Sequence, residues 1–179
     1  MPGEKHTEIE AKLRVADLTA VETKLQELQA PFLGEQLQTD DYFENSQGTL
    51  AREDRCLRLR HEQVDDQETL FITYKGPKQA GAFKIREELE VEVSDGETTR
   101  LLFGALGYGP ALVVKKSRRL YRYQDCLVGL DRLPALGSFV EIEGPSESQI
   151  AQVQETLGLS SCPHIPESYA CLMAAQEER

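Results

Sequence analysis

Several short segments of the chain alternate polar and apolar residues with a period of two, the pattern of a β-strand. The first, HTEIEAKLRV over residues 6 to 15, carries Glu8, Glu10, Lys12 and Arg14 on one face and Ile9, Ala11, Leu13 and Val15 on the other. Because successive side chains of a strand point to opposite faces, the four charges form one row with a spacing of about 7 Å. Such a row of charges is stable where it faces water or where it binds ligands of opposite charge.

Seven later segments also have strand character. They are TDDYFE, CLRLRHE, TLFITYKGP, FKIREELEVEV, ALVVKKSRRLYRY, CLVGLDRL and FVEIEG. Three of them repeat the pairing of a charged face with an apolar one, and their charged faces carry Arg58 and Arg60; Arg86, Glu88, Glu90 and Glu92; Glu141 and Glu143.

Apolar residues at helical spacing predict amphipathic helices over residues 17 to 30, 95 to 107 and 145 to 158, and a short helix is expected after Pro166. The first of these contains the pair Thr19 and Glu22, which has the spacing of a capping box. The third contains Ser146 and Gln149 at the same spacing.

Helices with apolar stripes must pack on something, and the apolar strand faces are the available partners. That packing leaves the charged faces on one common side, and eight strands are enough to close this side into a lumen. We therefore predict one α+β domain over residues 1–179: a closed eight-stranded antiparallel β-barrel with amphipathic helices packed on its outside. The alternative is a structural β-domain whose charged faces meet water.

Composition narrows the functional classes. The formal net charge of −11 argues against a nucleic-acid-binding surface, which needs a basic stripe. No apolar run approaches the roughly 20 residues that span a bilayer, and the first residues lack the apolar core of a secretory signal. A cytoplasmic protein that binds neither nucleic acid nor membrane is expected. The four cysteines and three histidines are scattered, which argues against a zinc site or a disulfide framework.

The charged faces point to a particular chemistry. Carboxylates in Glu-x-Glu pairs are hard oxygen ligands suited to Mg²⁺ or Mn²⁺, which commonly share their coordination shell with substrate phosphates. Arginine and lysine side chains suit phosphate oxygens. Acids for metal and bases for phosphate in one lumen predict a metal-dependent enzyme that acts on a polyphosphate.

The motifs carrying this chemistry resemble the CYTH family of triphosphate tunnel metalloenzymes, which includes class IV adenylate cyclases and triphosphatases. Glu8 to Lys12 matches the ExExK signature of that family. The resemblance continues in the family's order through QTDDYF, LRLR, TYKGP, REELE, KKSRRLY, GLDRLPALGSFVEIE and PESYACLM.

The resemblance implies a role for each matched residue. The predicted ligands of Mg²⁺ or Mn²⁺ are Glu8, Glu10, Glu88, Glu90, Asp131, Glu141 and Glu143. The predicted triphosphate-binding residues are Lys12, Arg58, Arg60, Lys75, Arg86, Lys116 and Arg118. Lys12 and Asp131 are the catalytic candidates, with Asp131 either binding metal or orienting the attacking group.

The resemblance also implies a triphosphate substrate, and it leaves two reactions open. The class IV cyclase reaction, from ATP to cyclic AMP and pyrophosphate, is favoured by the YKGP and GLDRLPALGSFVEIEG segments. Hydrolysis of inorganic tripolyphosphate, thiamine triphosphate or a nucleoside triphosphate is the alternative, because the His-Phe pair of such cyclases is missing upstream of Glu8. A non-catalytic nucleotide-binding or polyphosphate-binding module ranks lower, since both Glu-x-Glu pairs are intact. Family precedent would allow a homodimer.

Overall fold

The computed structural model describes residues 6–177, which form eight strands and five helices. The strands are β1 (His6–Val15), β2 (Phe32–Asn45), β3 (Cys56–Val64), β4 (Gln67–Lys75), β5 (Lys84–Val93), β6 (Tyr108–Tyr123), β7 (Cys126–Leu133) and β8 (Gly137–Glu143). The helices are α1 (Leu18–Glu27), α2 (Thr49–Arg52), α3 (Gly96–Ala105), α4 (Glu147–Thr156) and α5 (Tyr169–Glu177).

The strands form a closed antiparallel barrel in the order β1-β5-β4-β3-β2-β6-β7-β8. Strand β1 closes the barrel, because its first half pairs with β5 and its second half with β8. This arrangement confirms the predicted α+β barrel. Strand β2 begins at Phe32, well before the predicted TDDYFE segment, and its extra residues pair with β6.

The apolar strand faces pack under helices outside the barrel, as predicted. One cluster joins α1 and α4 to β1, β7 and β8, with Leu25 and Ile150 fully buried against Leu13 and Ile142. A second cluster lies under α3, where the ring of Phe103 packs edge-on against Phe43 at 4.9 Å.

The helix starts show one correction to the sequence prediction. The N-cap of α1 is Asp17, whose carboxylate accepts a hydrogen bond of 2.8 Å from the backbone N–H of Thr19. The predicted cap Thr19 is therefore already inside the helix. The Ser146 and Gln149 pair does form the predicted cap of α4, since the Ser146 hydroxyl accepts from the Gln149 N–H.

Helix α5 closes one end of the barrel. The ring of Tyr169 packs edge-on against Phe139 at 5.1 Å, within a cluster that includes Val114 and Leu133. These three partners share the strand faces of the charged residues Glu141, Lys116 and Asp131, so they fill the barrel from inside. Within residues 6–177, the lumen is thereby open at the other end only.

The described helices leave part of the apolar strand faces uncovered. On β5, Leu89 and Val91 point outward and are 48% and 57% exposed. The prediction that helices cover the apolar faces is therefore incomplete, because the helices pack mainly on the other strands. None of the described helices is long and apolar enough to cross a membrane.

Candidate active site

The barrel lumen contains a cavity of about 580 Å³ to which all eight strands contribute side chains. The sequence prediction placed its site residues on the charged strand faces, and the structure brings nearly all of them together here. Those lining the cavity are Glu8, Glu10, Lys12, Arg58, Arg60, Lys75, Arg86, Glu88, Glu90, Lys116, Arg118, Glu141 and Glu143. The exception is Asp131, which is completely buried beneath Lys116 and Arg118.

Four glutamates near the open end form what we call the acidic end: Glu8, Glu10, Glu88 and Glu143. Glu10 and Glu143 are direct partners in the β1–β8 register. Lys75 contacts Glu8 at 2.6 Å and Glu88 at 3.4 Å, and Lys84 contacts Glu10 at 2.5 Å. Glu143 makes no hydrogen bond or ion pair with any other described residue, so carboxylates outnumber cations at this end.

This imbalance changes the protonation of the acidic end. Burial and the neighbouring carboxylates of Glu8, Glu10 and Glu88 raise the pKa of Glu143 to about 7. Burial and the charge of Glu10 also raise the pKa of Glu8, although Lys75 opposes the shift. Glu10 differs: burial alone would raise its pKa, but the charges of Lys84, Lys12 and Lys75 together outweigh burial and lower the pKa to about 2. Two of the four carboxylates are thus destabilised as anions and would gain from an added cation.

Deeper in the lumen lie five cationic side chains that we call the basic centre: Lys12, Arg58, Arg60, Lys116 and Arg118. Burial and the charge of Arg118 lower the pKa of Lys116 to about 8. Burial also lowers the pKa of Lys12, opposed by Glu141. Cations crowded together with a depressed lysine pKa favour the binding of an anion.

Asp131 organises one side of the basic centre. It accepts hydrogen bonds from Lys116 at 2.9 Å, from Arg118 at 2.6 Å to each oxygen, and from the Tyr169 hydroxyl at 2.8 Å. Burial alone would raise its pKa, but Arg118 and Lys116 hold the pKa of this carboxyl below its usual range. Both oxygens are therefore occupied by donors from the protein itself.

Glu141 completes the same network. It pairs with Lys12 at 3.3 Å and with Arg118, and lies 3.9 Å from Lys116. These cations outweigh the effect of burial and keep the pKa of Glu141 well below its ordinary value. Glu141 is thus more firmly paired than Glu143, its neighbour on the same face of β8.

A glycine makes room for Arg118. A Cβ atom at Gly129 would lie 3.0 Å from the Arg118 Nε and 3.1 Å from its Cζ. Because Gly129 has no side chain, the guanidinium can lie across β7 and reach Asp131 and Glu141 together. The absence of a side chain at Gly129 therefore leaves the space that the Arg118 guanidinium occupies.

The sequence prediction missed several charged residues of the site. Asp40 binds Arg60 through two hydrogen bonds of 2.6 and 2.8 Å and lies 3.5 Å from Arg58. Lys84, the partner of Glu10, shares a strand face with Arg86, so alternation alone could have identified it. Asp54 holds Arg86 at 2.6 Å from a loop, where no strand pattern signals its role.

The remaining aromatic and cysteine positions divide between core and lumen. Phe43 and Tyr121 are core residues. Tyr42, Tyr169 and Cys56 line the cavity, and Tyr42 and Tyr169 also pack in the apolar cluster at the closed barrel end. Burial raises the pKa of the Cys56 thiol, which keeps it neutral in the lumen wall.

The acidic end fits a divalent cation by its donor chemistry. Among the described residues, no three Asp, Glu, His or Cys side chains form a ready-made metal centre. Yet the acidic end offers hard carboxylate oxygens, an unpaired Glu143 and pKa values raised by mutual repulsion, all of which a divalent cation would relieve. Glu143, its register partner Glu10 and the adjacent Glu8 are the residues best placed to hold the ion.

Comparison with known proteins agrees with this geometry. The CYTH domain family matches residues 6–169. MJ0240 of Methanocaldococcus jannaschii, whose adenylate cyclase name is provisional, is 34% identical over 136 residues, which cover 76% of this chain and 75% of that protein. Adenylate cyclase CyaB of Aeromonas hydrophila is 27% identical over 176 residues, covering 92% of this chain and 87% of that protein.

A solved structure shares the fold at lower identity. HpAC1 from Hippeastrum, described as an adenylyl cyclase with a dominant triphosphatase activity, superposes with a TM-score of 0.72 at 19% identity, covering 96% of each chain. At that identity the similarity concerns the fold alone. The family match over most of the chain and the charged barrel lumen lead to one conclusion: this protein belongs to the CYTH family.

Proposed function

We propose that this protein is a divalent-metal-dependent enzyme that converts ATP to cyclic AMP and pyrophosphate inside the barrel lumen. The observation that carries the proposal is the division of one cavity into an acidic end and a basic centre. A triphosphate needs both, because its phosphates bind arginine and lysine while metal ions bridge them to carboxylates. One CYTH domain over residues 1–179 that acts without nucleic acid remains our prediction, and family precedent would allow a homodimer.

The basic centre would bind and align the triphosphate. Arg58, Arg60 and Arg118 are planar donors suited to two phosphate oxygens at once, and Lys12 and Lys116 supply point charges. A bound Mg²⁺ or Mn²⁺ would neutralise phosphate charge and polarise the reacting phosphate. The charges of the lumen are fixed before the substrate enters, so they stabilise the transition state without reorganisation.

In the proposed reaction, the ribose 3′-oxygen attacks the α-phosphorus. A new phosphorus–oxygen bond forms as the bond from the α-phosphorus to the bridging oxygen of pyrophosphate breaks, and the hydroxyl proton is released to solvent. Lys12 lies in the lumen wall between Glu141 and the Tyr169 ring, where its charge can stabilise the phosphates. Asp131 acts by orienting Lys116 and Arg118, because its own oxygens are already occupied.

The names of the two relatives described above favour the cyclase reaction. Triphosphate hydrolysis is the second candidate, supported by the absence of the His-Phe pair before Glu8 and by the activity attributed to HpAC1. The two reactions differ in the nucleophile and in which phosphorus lies beside the metal, so the lumen charges alone serve either.

A product assay tests the proposal directly. Purified protein with Mg²⁺ or Mn²⁺ is offered ATP, inorganic tripolyphosphate and thiamine triphosphate in parallel, and products are resolved by phosphorus NMR and chromatography. We expect cyclic AMP and pyrophosphate from ATP. Orthophosphate as the dominant product would replace the cyclase with a triphosphatase, and the absence of turnover from all three would overturn both.

The acidic end is tested by the double substitution Glu8→Gln with Glu10→Gln. We expect turnover to fall below detection with the fold intact, because two adjacent metal ligands lose their charge while side-chain volume is kept. Circular dichroism reports the fold, and Glu97→Gln on the exposed first turn of α3 is the matched control. Parent-like turnover in the double variant would remove these residues from the metal site.

A further inference from the structure

At the open end of the lumen, three side chains form a cluster that the triphosphate chemistry does not use. Gln36, Gln38 and Glu62 all line the cavity, from β2 and β3. Gln38 donates to Glu62 at 2.6 Å and to the Gln36 side-chain oxygen at 3.1 Å, and Gln36 lies 3.4 Å from Glu62. We call these three residues the mouth cluster.

The mouth cluster has more hydrogen-bond acceptors than donors. The Gln38 amide nitrogen lies between two acceptors, which fixes the orientation of the amide and leaves its oxygen, Oε1, without a partner. Gln38 is only 3% exposed, and a buried acceptor without a donor is costly. Across residues 6–177, no lysine or arginine pairs with Glu62. The cluster therefore needs a ligand group that donates hydrogen bonds.

A phosphate is the wrong ligand for this position. The Glu62 carboxylate would repel it, and an oxyanion supplies no N–H donor. Lys116 and Arg118 are the register partners of Gln38 and Gln36 on β6, but their charged groups bind Asp131 and Glu141 instead. On β3 the first cation is Arg60, one lumen-facing position deeper than Glu62, where it pairs with Asp40. Along β3 the lining charge thus changes sign between Glu62 and Arg60, two successive lumen-facing positions.

Apolar side chains flank the mouth cluster. Leu120 on β6 and Leu127 on β7 line the same cavity. Phe71 on β4 shares the lumen face of Thr73 and is the register partner of Arg60. Polar acceptors between apolar walls suit a flat heterocycle, which presents N–H groups at its edge and a π-surface on its faces.

The order of the strands places the mouth cluster and the acidic end on opposite sides of the barrel. In a ring of eight strands, β3 lies opposite β8 and β2 lies opposite β1. Glu62 and Gln38 therefore face Glu143 and Glu8 across the open end. A ligand can place its phosphates at the acidic end and basic centre while a head group reaches the other side of the mouth.

We propose that the mouth cluster binds the amino-bearing edge of a nucleobase, so that the preferred substrate is a nucleoside triphosphate and inorganic tripolyphosphate is disfavoured. The inference rests on the proposed function and assigns it a head-group site. Glu62 accepts from the exocyclic amino group, the Gln36 and Gln38 amides complete the edge contact, and Leu120, Leu127 and Phe71 enclose the ring.

Equilibrium binding separates the head group from the phosphates. Dissociation constants are measured by calorimetry in EDTA, so that no turnover occurs, for ATP, GTP, CTP, purine riboside triphosphate and tripolyphosphate. We expect an amino-bearing nucleotide to bind about tenfold or more tightly than tripolyphosphate, the scale of a hydrogen bond to a charged group. ATP should also bind more tightly than purine riboside triphosphate, which lacks the amino group. Among ATP, GTP and CTP, we expect ATP to bind most tightly, because the proposed function makes ATP the substrate.

The substitution Glu62→Gln provides the internal test. It should weaken nucleotide binding several-fold and leave tripolyphosphate binding equal or tighter, because it removes both an acceptor and a repulsive charge. A merely structural defect cannot move the two ligands in opposite directions. Glu35→Gln, the neighbouring carboxylate on the exposed outer face of β2, is the control and should change neither constant.

Three results would overturn the inference. They are equal affinity of the parent protein for tripolyphosphate and all nucleotides, equal binding of ATP and purine riboside triphosphate, and equal loss of all ligands in Glu62→Gln. In each of these the proposed triphosphate site survives, since the ligands still bind the parent. Failure of every ligand to bind the parent in EDTA would also overturn this inference, and the product assay with metal then decides the proposed function separately.

Discussion

Asp40 shows how a buried charge in the lumen is stabilised. It is 2% exposed, and Arg58 and Arg60 both approach its carboxylate. Burial on its own would raise the pKa of Asp40, but the two guanidinium groups outweigh it and lower that pKa below the usual range. The pair of arginines is thus held in place before any substrate arrives.

The substitution Asp40→Asn should therefore lower the free energy of unfolding by about 3 to 5 kcal/mol at neutral pH, because it leaves buried guanidinium charges uncompensated. A depressed pKa contributes stability above the unfolded value of about 3.9, and this contribution is lost as the pH falls. The difference between parent and variant should narrow below about pH 4.

Urea denaturation of both proteins between pH 3 and pH 8 measures this difference. Asp65→Asn, on the exposed β3–β4 turn, is the control and should unfold like the parent. A difference that stays constant across the pH range would show that Asp40 is not an ionised partner of the arginines.

Individual residues could be predicted from the sequence as far as strand alternation reaches. Alternation placed Arg58 and Arg60 on the lumen face correctly. It did not identify Asp40 as their partner, because residues 46–55 between β2 and β3 include the short helix α2 and no tight turn fixes the register. Asp54, on the same connection, was unpredictable for the same reason.

At the scale of elements, α5 is the helix whose placement differs most from the others. Sequence pattern predicted a short helix after Pro166, and the structure confirms that it exists. Its position at the barrel end depends on Tyr169, which joins an apolar cluster and also donates to Asp131 at 2.8 Å. A pattern of apolar residues cannot distinguish packing on a barrel wall from packing in a barrel end.

Two substitutions at Tyr169 separate these roles. Tyr169→Phe should cost about 1 kcal/mol of unfolding free energy, since it removes one hydrogen bond and keeps the ring. Tyr169→Ala should cost about 3 to 5 kcal/mol, because it opens a cavity against Phe139 and the neighbouring apolar residues.

Chemical denaturation provides both values, and Tyr123→Phe, at a half-buried tyrosine of β6, is the control with no expected change. Equal costs for the two Tyr169 variants would contradict a packing role for the ring.

Element boundaries were less predictable than element types. The observed helices are shorter than the predicted ranges 17 to 30, 95 to 107 and 145 to 158, and β2 begins earlier than the predicted strand. The extra part of β2 pairs with the end of β6, so its strand conformation depends on a distant segment. Local propensity could not show that pairing.

At the scale of the whole molecule, the net charge of −11 conceals a separation of charge along the lumen. The acidic end and the basic centre are both parts of one barrel. The barrel was predicted from the sequence because helices that cover the apolar strand faces leave the charged faces on one common side, which eight strands are enough to close. The separation could be predicted only through the family resemblance, since it depends on how strands from distant parts of the chain meet.

The raised pKa of Glu143 is one consequence of this charge separation. Its raised pKa means that ionisation destabilises the folded protein: the penalty begins above the ordinary pKa of 4.5 and is complete once the pH exceeds about 7. In EDTA, Glu143→Gln should therefore increase the free energy of unfolding by about 1 to 3 kcal/mol at pH 8 and by less at pH 5. The variant should respond less than the parent to added Mg²⁺.

Urea denaturation with EDTA or Mg²⁺ tests both statements, with sodium chloride at equal ionic strength as the salt control and Glu155→Gln on α4 as the variant control. A variant that is less stable than the parent in EDTA at pH 8 would show that Glu143 is not under repulsion.

The closure of one barrel end by α5 has a kinetic consequence. With a single entrance, a nucleoside triphosphate must enter with its terminal phosphate leading, and its base comes to rest at the mouth. After cyclisation, pyrophosphate would lie behind the cyclic nucleotide, between it and the Tyr169 ring. The two products would then leave in a compulsory order, cyclic nucleotide first and pyrophosphate last, and the departure of pyrophosphate would set free the enzyme for its next turnover.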